Sequence, residues 1–391
     1  MSVFLNKNNI KFKFEFDSTI DVIGEVFNKV EHLLNFQFDD DFNASLIDSD
    51  VDYQFKDVSS LSCEDIELIT NSFFKFTFED IFNVFLYKFL ILKNNEKFTL
   101  LAIINSSIFD YASINDFYEL FNNLNSNPIE NNLCTYYGNI KNYLSSPDFN
   151  NDSNYWRNFI LNTSNYVNFH NLKSKMYQCQ KIEVNKVSVS KFIKNQDCSL
   201  FDFYACIFSL YLSRIDNQKG CLLKTNVKFE KNNPKVLNNT ILKVDYENDN
   251  TFTDYLYQFD SIYDEAASHA KISIENYMDE TLSYYSIYDF SDLNENIRIY
   301  NGEDSVLTLN IYENYLELVY NTDLFSDIYI EHMANNIESL INNILNSPNQ
   351  LICNTNILSN EEKTLLSDFC KGKTAEFDKN KYLSNAFVKM P

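Results

Sequence analysis

Residues 316–366 read LELVYNTDLFSDIYIEHMANNIESLINNILNSPNQLICNTNILSNEEKTLL. The run YLELVYNT has the apolar and aromatic density of a strand. A long amphipathic helix follows over DIYIEHMANNIESLINNIL and closes the fold before SPNQ. Upstream lie two further strand-like runs, NIRIY and SVLTLNIY. Before them TILKVDY leads into an amphipathic helix, TFTDYLYQFDSIYDEAASHA. This half begins with the most apolar helix of the chain, SLFDFYACIFSLYLSRI, which Ser199 should cap, and continues into the strand GCLLKTNVKF.

The N-terminal half repeats this mixture. Phe12, Phe14 and Phe16 alternate with Lys11, Lys13 and Glu15, as in a half-buried strand. Asp17 or Ser18 is expected to cap a helix with Ile20, Ile23, Phe27, Val30 and Leu34 on its apolar face. After a polar stretch, EDIFNVFLYKFLILKNNEKFTLLAII reads as two strands joined by a turn at KNNEK. Trp156 sits on an expected helix in SNYWRNFI, and with the SLFDFYACIFSLYL face it reads as core. A composition shift over 171–191, without helical periodicity, marks the expected subdomain boundary. Two α+β sandwiches fit this order better than one doubly wound sheet, and no short-period repeat is visible.

Composition narrows the function. The chain is 45% hydrophobic and 16% aromatic, ample for a buried core. Its net charge of −23 argues against nucleic acid, which demands clustered Lys and Arg, and against anionic membrane surfaces. The apolar runs are strand-sized, far short of a bilayer crossing, and the N-terminus lacks a signal peptide's apolar core. Eight scattered cysteines without a C-x-x-C pair, and four dispersed histidines, offer no metal site. Reduced, mostly buried thiols in a cytoplasmic protein are expected.

Six blocks in order resemble the condensation domain of nonribosomal peptide synthetases, a relative of chloramphenicol acetyltransferase. They are NYWRNFI, SLFDFYACIFSLYLSRIDNQ, LNNTILKVDYENDNTFTDYLYQF, HAKISIENYM with His269 and Glu275, the block at 316–366 and the tail FDKNKYLSNAFVKMP, and together they identify IINSSIFDYAS at 103–113. The resemblance implies two chloramphenicol-acetyltransferase-like subdomains forming a V-shaped pseudo-dimer with a tunnel between them. Residues 1–175 would form a shortened first subdomain and 176–358 the second. Residues 359–391, ending FDKNKYLSNAFVKMP, resemble the linker entering an adenylation domain, as if the chain were cut from a larger synthetase.

The resemblance also locates an active-site loop. The family's H-H-x-x-x-D-G-W-S motif falls on 105–113: the first His on Asn105, the second on Ser106, the Asp on Asp110, the Gly on Tyr111 and the closing Ser on Ser113. In the family the second His orients or deprotonates the amine that attacks a carrier-bound thioester, and the Asp pairs with an Arg. Arg214 and Arg298 are the candidates here. A serine hydroxyl cannot replace that histidine without a base of its own, and Tyr111 puts a ring where the family's tunnel is open. The stretch 105–110 therefore reads first as a turn whose short polar side chains bond the backbone, and His269 as a hydrogen-bonded turn residue.

Three functions follow from the resemblance. One is a structural or docking module for carrier proteins, an adjacent adenylation domain or a tailoring enzyme, as the X domains of some synthetases are. The second is an active amide-forming domain that works by positioning and receives the phosphopantetheine arms of carriers, with no cofactor bound directly. The third is a remnant of a decayed gene. The lost histidines select the first.

Overall fold

The computed structural model describes residues 8–17, 19–40, 43–78, 80–126, 133–163, 177–227, 239–272, 274, 277, 284–301 and 305–371. The first half is built on a five-stranded sheet. Its strand β1 (Asn9–Phe16) turns Phe12, Phe14 and Phe16 toward Phe117, Tyr118 and Phe121, and the helix α1 (Ile20–Leu34) joins the same core, with Ile23, Phe27, Val30 and Leu34 buried as expected. The helix start differs. Thr19 stands at the N-cap, where its side chain makes no capping hydrogen bond, and Ser18 lies outside the described residues. A short pair, β2 (Phe36–Phe38) and β3 (Ala44–Leu46), precedes the edge strand β4 (Gln54–Asp57).

The helix α2 (Cys63–Phe74) changes the expectation for β1. It opens on a capping box between Ser62 and Asp65 and lays Phe73 and Phe74 over Leu90, Leu92, Leu101 and Ile103. The far side of the sheet is therefore covered too. Lys11, expected in solvent, is buried, and its ammonium donates to the Phe74 carbonyl at 2.7 Å. That bond satisfies a charge the covering helix would otherwise strand.

The strands β5 (Tyr87–Asn94) and β6 (Lys97–Asn105) form the expected hairpin, with Asn95 in the left-handed region (φ 56°) that Asn tolerates. The helices α3 (Ala112–Asn122), α4 (Leu133–Leu144) and α5 (Pro147–Leu161) follow. Trp156 on α5 is buried, but in the core of the second half.

That half is a six-stranded sheet. Its edge strand β7 (Tyr177–Glu183) and the helix α6 (Lys186–Gln196) occupy the stretch that lacked a helical pattern. The most apolar helix, α7 (Leu200–Ile215), is capped by Ser199 as expected. Then come β8 (Gly220–Asn226), β9 (Asn239–Asp245), α8 (Phe252–Ser268), β10 (Tyr285–Asp289), β11 (Arg298–Ile299), β12 (Leu307–Ile311), β13 (Tyr315–Asn321), α9 (Asp327–Asn346) and α10 (Asn360–Cys370). The sheet order is β7-β13-β12-β10-β8-β9, with β10 parallel to both neighbours.

The two halves are not separate along the chain. NIRIY yields only the two-residue strand β11, and it leaves the second sheet to pair with β1, setting Phe12 opposite Ile299. Around it Tyr288, Phe290, Ile297 and Tyr312 pack into the first half's core. The tail 372–391 and Glu275 lie outside the described residues.

The thiols depart from expectation. Cys206 and Cys221 are buried, whereas Cys63, Cys179, Cys353 and Cys370 are exposed, because these four sit at helix ends, on a sheet edge or in a short turn. Among the described residues no single helix is long and apolar enough to cross a membrane.

Gly220 yields one prediction. A Cβ there would meet the Val244 carbonyl oxygen and stand 2.7 Å from Asp245 Cα, both backbone atoms of the paired strand β9. Gly220→Ala is expected to destabilise the protein by about 1–3 kcal/mol, the usual effect of overpacking a tight site. Urea unfolding with an unchanged m-value would register it.

Candidate functional site

The β6–α3 junction gathers five of the expected residues into one turn. Its first three, Asn105, Ser106 and Ser107, are 0% exposed. The Asn105 side-chain oxygen accepts from the Ser107 N–H at 2.9 Å and its carbonyl from the Ile108 N–H at 3.1 Å, which closes a side-chain-stabilised turn. The Ser106 hydroxyl donates to the Asn8 carbonyl at 2.9 Å, and the Ser106 N–H donates to the same oxygen at 3.0 Å. Tyr137 on α4 holds the turn from outside by donating to the Ser107 carbonyl at 2.8 Å.

Asp110 starts the helix. Its carboxylate accepts from the Ser113 N–H at 2.8 Å and from the Ser113 hydroxyl, a capping arrangement at the first turn of α3. Neither expected arginine serves it. Arg214 donates to the Ile352 and Thr355 carbonyls, and Arg298 pairs with Glu317 at 3.1 Å. Both lie in the second half, where a carboxylate and backbone carbonyls hold them. Among the described residues Ser106 has no base beside it, so its hydroxyl is not activated.

Tyr111 crosses to the other half. Its ring centroid is 4.9 Å from that of Phe290 and 6.1 Å from that of Tyr288. The next helix is tied to the same segment. Asn115 donates to the Asp292 carbonyl at 2.6 Å and accepts from the Asn294 N–H at 2.9 Å, and Asn296 donates to the Tyr118 hydroxyl at 3.1 Å. The loop and helix that would carry chemistry are thus clamped to the segment between β10 and β11.

His269 stands elsewhere, at the C-cap of α8. Its Nδ1 lies 2.7 Å from Asp152 Oδ1, its ring stacks on Tyr155 at 4.0 Å, and its carbonyl accepts from Trp156 Nε1 at 3.0 Å. The other Asp152 oxygen accepts from Tyr143, so burial and the adjacent carboxylate both push that phenol's pKa up. The histidine is a hydrogen-bonded residue at a helix end. Its partner Asp152 had no signal in the sequence, since the two are 117 residues apart. Among the described residues no three His, Cys, Asp or Glu side chains gather to hold a metal.

No family model matches the chain, and no curated protein matches it in sequence. Solved structures do match its fold. The first condensation domain of the CDA synthetase superposes with a TM-score of 0.67 at 10% identity, over 90% of this chain and 94% of that one. The fold is that of a condensation domain. The X-domain from teicoplanin biosynthesis superposes with a TM-score of 0.66 at 12% identity, over 90% and 94% of the two chains. A four-domain nonribosomal peptide synthetase, bound to AMP and glycine, superposes with a TM-score of 0.73 at 15% identity; the match spans 99% of this chain and 34% of the synthetase. The two sheets with their helices are accordingly the α+β arrangement of the chloramphenicol-acetyltransferase-like fold.

Proposed function

We propose that this chain is a condensation-like domain of a nonribosomal peptide synthetase that has lost histidine-based amide formation and serves as a structural or protein-docking module. The observation that carries the reading is the Ser106 hydroxyl, fully buried and spent on the Asn8 carbonyl. General acid–base help contributes roughly 10²–10⁴-fold to such reactions, and the loop offers nothing to supply it. Its partners on this reading are carrier domains, the adjacent adenylation domain and a tailoring enzyme. Consistent with docking, α10 buries none of its residues and leaves Phe369 87% exposed beside the exposed Leu365 and Leu366.

The test is a condensation assay with loaded carrier domains, using wild type, Ser106→Ala and Asn105→His/Ser106→His. Wild type and Ser106→Ala are expected to be equally silent, with stability changed by no more than about 1 kcal/mol on loss of one hydrogen bond. The double variant forces two larger side chains into a filled turn, so circular dichroism must first establish that it folds. Wild-type turnover that Ser106→Ala abolishes would overturn the proposal and establish an active domain that works by positioning.

A further inference from the structure

In a chain of net charge −23, α6 carries Lys186, Lys191 and Lys194 and no carboxylate. Val187, Lys191 and Lys194 recur at i, i+4 and i+7, so they form one stripe along the helix. Val187 is 80% exposed, both lysines are exposed, and among the described residues neither lysine has an ion-pair partner. Unpaired cations flanking an exposed valine are not explained by the packing of α6 onto the second core, which uses Val189 and Phe192.

Beside the stripe runs a half-open groove of about 390 Å³. Val189, Ile193, Leu200 and Tyr204 give it an apolar lining, and Lys194 stands at its edge. Lys186 is held on the rim by Glu313 and Asn314, which leaves Lys191 and Lys194 as the uncommitted charges. The lining also includes Glu313, which Lys186 holds, and Asp292, whose carbonyl receives Asn115 of α3. The groove thus abuts the segment that clamps the Asn105–Ser113 turn and its helix.

We propose that this groove and the Val187–Lys191–Lys194 stripe bind an acidic amphipathic helix of a partner domain. An apolar side chain of that helix enters the groove, and its carboxylates face Lys191 and Lys194. Charge complementarity selects the occupant: the chain's overall negative field repels an acidic partner except where cations are locally unpaired. The inference rests on the docking reading above and names the surface that does the docking.

The test uses the full chain, fluorescence anisotropy and two labelled probes. One is a synthetic 18-residue helix with Leu at every third or fourth position and Glu between; the other is identical with Lys for Glu. Wild type is expected to bind the Glu helix, Lys191→Glu/Lys194→Glu to weaken it at least tenfold, and Lys56→Glu on the exposed edge strand β4 to leave it nearly unchanged. Binding should also weaken as salt rises. No binding of the Glu helix, equal binding of the Lys helix, or indifference to the double reversal overturns the proposal. A phosphopantetheinylated carrier domain forms the third arm. If it binds wild type and the double reversal equally, the groove is wrong and the docking reading stands. If the Glu helix binds through the lysines and the carrier does not bind at all, the groove stands and carrier docking fails.

Discussion

As pH is raised above 10, the protein is expected to unfold cooperatively, with the phenolate signal of its buried tyrosines appearing in that step. Burial is the main cause raising the phenols of Tyr137, Tyr204, Tyr255 and Tyr285 above their ordinary value. For Tyr285 the neighbouring Asp216 adds to it. Tyr155, half-buried and near Glu265, is pushed up to about 12. In the unfolded chain these groups ionise near 10. Above that pH the unfolded state therefore sheds protons that the folded state retains, and stability falls with each further step in pH. Their contribution is fully present below pH 10 and is lost as pH climbs toward the folded values. A tenfold change in proton affinity is about 1.4 kcal/mol, so a shift of that size at each of these five tyrosines is together comparable with the stability of a typical domain. The measurement is absorbance at 295 nm against pH, alongside the fluorescence of Trp156, the single tryptophan. Gradual ionisation of all tyrosines near pH 10 with unchanged fluorescence would contradict it.

Trp156→Ala is expected to cost about 3–5 kcal/mol, the range for deleting a fully buried large aromatic side chain. The indole packs edge-on against Tyr155 at 4.8 Å and Phe159 at 5.5 Å, and its N–H holds the His269 carbonyl. One face of α5 thereby grips the end of α8: Asp152 and Tyr155 take the imidazole, and Trp156 takes the backbone. Trp156→Phe keeps most of the apolar contact and should lose only about 1 kcal/mol with the hydrogen bond. Urea unfolding followed by circular dichroism separates the two, since both variants lack the fluorophore. A Trp156→Ala protein within about 1 kcal/mol of wild type would mean that α5 does not belong to the second core.

Much of the candidate site was legible. The order strand, short polar turn, helix singles out Asn105, Ser106 and Asp110, and the resemblance to the family motif adds Tyr111 and Ser113; all five lie within nine residues, so their geometry is local. The sequence put Asp110 in this turn but did not give its contacts. An arginine was expected, and the observed partner is Ser113, three residues on. The two candidate arginines are held by groups in the other half that no local pattern reveals. The burial of Ser106 was also beyond reading, because it depends on Asn8, nearly a hundred residues away.

The sequence by itself determined the element types wherever the signal is short-range. Ser199 before an apolar run, Asn95 between two strands and alternating Phe12, Phe14 and Phe16 act through neighbours within about four residues, which is the reach of caps, turns and strand alternation. Only the tertiary structure decided what those elements meet. It put α2 over Lys11, sent the two residues of β11 across to β1, and set Tyr111 against Phe290. Each of those pairings is chosen by which apolar face or unsatisfied polar group remains uncovered once the sheets have formed, and that competition is settled in space rather than along the chain.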